Sequence, residues 1–123
     1  MLKKKLNGMK QNLPYLKHIL QEIDFILEMT RNIRFEDLIS DELLKRGVTR
    51  SFEIIGETVK NLSPDLKKNH KDIDWKRIAG MRDKLIHFYF GVNYDILWQV
   101  IKNRLPDLRE AIQAIIKEIE GIS

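Results

Sequence analysis

The chain has no cysteine. That excludes a disulfide framework, a thiolate zinc site and a cysteine nucleophile, and it fits a reducing compartment, so a cytoplasmic location is expected. It also has no long apolar run: a membrane span needs about 20 apolar residues in a row, and no segment approaches that length. Lys3, Lys4 and Lys5 open the chain without an apolar core behind them, so neither a secretory signal nor a membrane partner is expected. No stretch alternates apolar and polar residues with period two, which argues against a sheet. Repeats and low-complexity linkers are absent too. At 123 residues the chain reads as one domain, residues 1–123. Residues 1–11, with Gly8 inside them and Pro14 just beyond, read as a frayed N-terminal arm. His18, His70 and His87 show no ligand spacing and the carboxylates are scattered, so no metal site and no cofactor are expected.

What is present is helical periodicity. Apolar residues recur in steps of three and four in three stripes. One runs through Leu13, Leu16, Leu20, Ile23 and Leu27. The second joins Leu44, Val48, Phe52, Ile55, Val59 and Leu62, and the third Leu97, Ile101, Leu105, Leu108, Ile112, Ile115 and Ile119. Asn12 can cap the first long helix, which fades near Thr30–Asn32. A second helix starts between Phe35 and Asp41 and ends at Asn61–Ser63; Ser63-Pro64-Asp65 is a turn with proline at a helix start. Residues 65–73 read as short and irregular. Asp74 can cap a helix beginning at Trp75 and ended by Gly91, and Asn93 can cap the last helical region, which Pro106 should kink or break. The expected fold is therefore all-α, an up-and-down bundle of four to five helices.

Net charge is +4, unevenly placed. Residues 1–17 carry +5, residues 18–59 carry −4, residues 60–84 carry +4 and the remainder −1. A basic stretch thus leads directly into the most informative segment, Arg82-Asp83-Lys84-Leu85-Ile86-His87-Phe88-Tyr89. A guanidinium holds phosphate oxygens with a planar fork of donors, and an imidazole moves a proton near neutral pH. Together they suit chemistry on a phosphodiester without a metal. Lys76, Arg77 and Lys84 are the candidate RNA-backbone contacts, although charge alone more often marks a solvated face.

On a regular helix Arg82 and His87 diverge by ~140°, because five residues turn through ~500°. Either the helix distorts or two copies of the segment meet across a dimer. A lone Arg and His at this spacing would mean little, since a buried structural histidine is the commoner outcome. Glu53 and Glu57, one turn apart, can pair with basic residues on a neighbouring helix, and Gly56 between them reads as a close packing point. Trp75 and Trp98 could stack on bases, yet both lie in apolar patterns and read as core.

The segment Arg, four residues, His, one residue, Tyr resembles the signature of the HEPN superfamily, specifically its HepT-like (DUF86) toxin ribonucleases. Residues 51–62, centred on Glu53-Ile54-Ile55-Gly56-Glu57, and residues 75–91 are similar to two blocks of that family in the right order, and the resemblance spans roughly residues 13–120. It implies a HEPN-like homodimer whose paired Arg82 and His87 residues line a shared cleft. It further implies a metal-independent endoribonuclease, with Arg82, His87 and Asp83 catalytic, working as the toxin of a toxin–antitoxin pair. The partner implied is a cognate nucleotidyltransferase (MntA-like) antitoxin that silences the toxin by adenylylating Tyr89. Two rivals stand beside this reading: a non-catalytic helical module that presents substrate or nucleotide to such a transferase, and a purely structural helical dimer.

Overall fold

The computed structural model describes residues 8–86 and 91–121. Among them there is no strand, and seven α-helices follow a short 3-10 turn at Lys10–Asn12. They are α1 (Leu13–Thr30), α2 (Phe35–Ser40), α3 (Glu42–Val59), α4 (Pro64–Asn69), α5 (Trp75–Ile86), α6 (Tyr94–Asn103) and α7 (Leu105–Glu120). The sequence reading of four to five helices was short by two or three. The chain breaks at Asp41, whose extended backbone lets its carboxylate accept from the Leu44 N–H and start α3 afresh. Residues 64–69, read as irregular, close into a helical turn because Ser63 caps it through Leu66 and Pro64 pre-sets its first position.

All three prolines stand in the first turn of a helix, where a missing N–H costs nothing. Pro106 accordingly marks a break: α6 ends at Asn103 and α7 begins at Leu105. Asp74 and Asn93 cap as their positions suggest, accepting from Arg77 and Ile96. Asn12 does not. It precedes α1 without capping it, and its side chain is buried against the start of α4. Its Oδ1 accepts from the Ser63 N–H at 2.8 Å, and its Nδ2 donates to the Ser63 hydroxyl at 3.1 Å.

The long helices run up and down. Asn12 meets Ser63 while Phe25 reaches Gly47, so α1 and α3 are antiparallel. Lys17 pairs with Glu120 while Asp24 pairs with Arg109, so α1 and α7 are antiparallel as well. α1 packs against both α3 and α7, α5 packs against α3, and α6 packs against α7. The three sequence stripes meet in one core. Ile19, Ile23, Phe52, Ile55, Leu97, Ile101 and Ile112 are fully or almost fully buried there. Trp75 is buried, its Nε1 donating to the His70 carbonyl, and Trp98 lies edge-on to Phe35, so both tryptophans serve packing. No described helix is long and apolar enough to cross a membrane.

Candidate active site on the Arg82 helix

The site rests on how closely α5 approaches α3. At the crossing, a Cβ added to Gly56 would stand 3.4 Å from the Arg82 Cβ, 3.4 Å from the Ile78 carbonyl oxygen and 3.5 Å from that of Ala79. Glycine lets the two backbones come together at this point, as the sequence suggested, and the close approach fixes where Arg82 can project.

Arg82 projects beside Glu57. Its Nε lies 3.3 Å from Glu57 Oε1 across the two helices, with the side chains 36% and 44% exposed. Nε itself is shielded from solvent and has no aligned acceptor. The contact is therefore a Coulombic pairing rather than a hydrogen bond, and the exposure of Arg82 belongs to the rest of its side chain. The pairing holds the cation in place without using it up. Glu53 turns instead along its own helix, to Arg50 at 3.1 Å. The sequence had both carboxylates as pairing candidates; only Glu57 reaches across to α5.

The remaining candidates divide. Asp83 is exposed and has an interaction partner of its own. Lys76 and Lys84 are exposed on the outer face of α5. Arg77 stands apart from them. With Ile78 and Met81 it lines a groove of about 680 Å³ whose other wall is Ile96, Val100 and Leu108 of α6 and α7. His87 and Tyr89, with Phe88 and Phe90, lie outside the described residues, so the catalytic and modification roles expected of them rest on sequence. Among the described residues no cluster of histidines and carboxylates could hold a metal ion.

Comparison with known proteins identifies the family. A family model described as "Ribonuclease HepT-like" matches residues 19–115, which contain α3, α5 and the whole Arg82 segment. A "Putative RNase" of Caldanaerobacter subterraneus subsp. tengcongensis is 50% identical over 110 residues, covering 89% of this chain and 98% of the relative. A "Probable ribonuclease HepT" of Thermococcus cleftensis is 44% identical over 103 residues, covering 84% of this chain and 94% of the relative. A "Putative RNase" of Methanocaldococcus jannaschii is 41% identical over 107 residues, 87% of this chain and 88% of its own. No solved structure matches the chain. With a family match over most of its length and relatives at up to half identity, the chain belongs to the HepT-like ribonuclease family.

Proposed function

We propose that the protein is a metal-independent endoribonuclease, the toxin of a toxin–antitoxin pair, acting as a homodimer. The observation that carries this reading is Arg82: a cation oriented by Glu57, open to solvent beyond its Nε, five residues before a histidine. RNA brings its own nucleophile. In the proposed reaction the 2′-hydroxyl attacks the adjacent phosphorus and the bond to the 5′-oxygen breaks. His87 takes the 2′ proton or delivers one to the departing oxygen. Arg82 balances the charge that grows on the non-bridging oxygens. Asp83 orients a catalytic side chain. Lys76, Arg77 and Lys84 contribute phosphate contacts.

Arg82 and His87 diverge on a regular helix, and pairing two subunits supplies each cleft with both groups. Tyr89, seven residues after Arg82, shares its face on a regular helix. An adenylyl group placed there by a nucleotidyltransferase antitoxin would set a phosphate beside Arg82 and shut out the RNA backbone. The location proposed is the cytoplasm. The alternative, a binding module that presents substrate or nucleotide to the transferase, predicts tight RNA or nucleotide association without strand scission.

The test is incubation of the purified dimer with labelled RNA in excess EDTA, followed by analysis of the new termini. Products ending in a 2′,3′-cyclic phosphate and a 5′-hydroxyl support 2′-hydroxyl attack. Intact RNA under conditions where the protein binds it would favour the binding module.

A further inference from the structure

Attack by a 2′-hydroxyl moves two protons, one off the 2′-oxygen and one onto the departing 5′-oxygen. Attack and departure lie in line, on opposite sides of the phosphorus. One imidazole does not touch both oxygens at once, so a second group is needed. The α3–α5 crossing puts a carboxylate where that group belongs. A reacting 2′-oxygen lies ~3–3.5 Å from the phosphorus. The base that holds the hydroxyl and the cation that holds the phosphate oxygens are then immediate neighbours. Glu57 Oε1 is 3.3 Å from Arg82 Nε, and the two side chains are 44% and 36% exposed. A strand that reaches Arg82 reaches Glu57 as well.

Its bonding sets this carboxylate apart. The ion pairs of Asp24, Glu28 and Glu53 are also hydrogen bonds, at 2.6, 2.9 and 3.1 Å, and these occupy a carboxylate oxygen. Glu57 accepts no hydrogen bond among the described residues, and the Arg82 Nε beside it donates none. Its lone pairs are free to accept from a hydroxyl. The other acidic groups near Arg82 are committed elsewhere: Glu53 turns to Arg50, and Asp83 has a partner of its own. Lys60, the nearest cation on the same helix, forms no pair with Glu57, so the charged group that reaches it is Arg82.

We propose that Glu57 is the general base of the cleavage. Its carboxylate takes the 2′-hydroxyl proton as the 2′-oxygen bonds to phosphorus. The bond from phosphorus to the 5′-oxygen breaks, and His87 gives that oxygen its proton. The products are a 2′,3′-cyclic phosphate and a 5′-hydroxyl, and proton exchange with water resets both groups. Protonation also ends the hold of Glu57 on Arg82. The full cation then faces the non-bridging oxygens just as their charge grows. The proposal rests on the ribonuclease reading and settles a choice left open there, namely which way His87 moves its proton.

The test uses the full-length protein in excess EDTA and two RNAs of one sequence. In the second, sulfur replaces the 5′-oxygen at the linkage that wild type cuts. A thiol is far more acidic than an alcohol, so the thiolate leaves without being protonated. His87→Ala should lose ~100-fold or more on the ordinary RNA and return to within about tenfold of wild type on the sulfur RNA. Glu57→Gln, close in shape and partly exposed, should melt with wild type and lose ~100-fold or more on both RNAs. On the sulfur RNA the wild-type kcat should fall as pH drops and the base protonates, and Glu57→Gln should lack that fall. Glu57→Asp, which keeps a carboxylate, should keep the fall and cut at a rate between the two. A slow Glu57→Gln that still shows the fall makes Glu57 only a positioning residue for Arg82 and overturns the proposal. So does Glu57→Gln at the wild-type rate, and so does a His87→Ala protein as inactive on the sulfur RNA as on the ordinary one. In those three results wild type still cuts, and the ribonuclease reading stands. A wild type that leaves both RNAs intact sinks the ribonuclease reading and the base with it.

Discussion

Enlarging Gly56 is the sharpest perturbation of the site that does not touch its chemistry. The α3–α5 crossing leaves 3.4 Å between an added methyl and both the Arg82 Cβ and the Ile78 carbonyl oxygen. For Gly56→Ala two effects oppose each other. Helix propensity favours alanine by ~1 kcal/mol, while contacts at the tight edge of van der Waals range ask α5 to shift by a few tenths of an ångström. The net change in stability should stay within about 1 kcal/mol. Gly56→Leu adds three further carbons that have nowhere to go, so α5 is pushed off α3. Overpacking of this kind costs ~1–3 kcal/mol. At roughly 4 °C per kcal/mol for a domain of this size, the melting temperature should fall by about 4–12 °C. Arg82 moves with α5, away from Glu57, and an ångström of misplacement can remove ~100-fold in rate. Circular-dichroism melting and an RNA-cleavage assay read the two consequences separately. A Gly56→Leu protein that melts with wild type and cleaves at full rate would show that α5 does not depend on this crossing.

Other outcomes follow from the same geometry. Asn12→Ala removes two hydrogen bonds to Ser63 and strands a partly buried N–H, so a loss of ~1–3 kcal/mol should appear as a lower denaturation midpoint at unchanged m-value. Mixing inactive Arg82→Ala protein with inactive His87→Ala protein should restore part of the nuclease rate if each cleft draws on both subunits; a wild-type chain that cleaves RNA while sedimenting as a monomer contradicts the shared cleft. Coexpression with the cognate nucleotidyltransferase should add AMP to Tyr89 and abolish cleavage, whereas Tyr89→Phe should cut RNA and escape silencing. AMP mapped to another residue would refute that control.

Much of the molecule was legible in its apolar spacing and punctuation. The three stripes became the buried faces of the long helices because period and burial are one geometric fact. Asp74 and Asn93 capped where expected because a side-chain acceptor beside an unpaired N–H is a local arrangement. Asn12 has the same side chain in the same kind of position, yet it turns to Ser63, 51 residues away. Only the antiparallel meeting of α1 and α3 brings that partner near. The break at Asp41 was hidden for a related reason: the residues on both sides favour helix, and a single extended residue divides them. At the site, the sequence named Arg82 and offered Glu53 and Glu57 as equal pairing partners. Which carboxylate faces α5 depends on the crossing at Gly56, which no local pattern fixes.

The central claim is that Arg82 and His87 carry RNA cleavage without a metal. The direct measurement is the initial rate on a defined RNA in excess EDTA for wild type, Arg82→Ala and His87→Ala, each purified free of contaminating nuclease and checked for an unchanged melting curve. Charge-stabilising and acid–base groups each contribute on the order of 100-fold or more. Both variants should therefore lose at least that factor while wild type remains active in the chelator. Full activity in either folded variant, or wild-type activity that vanishes with EDTA and returns with a divalent cation, would contradict the account.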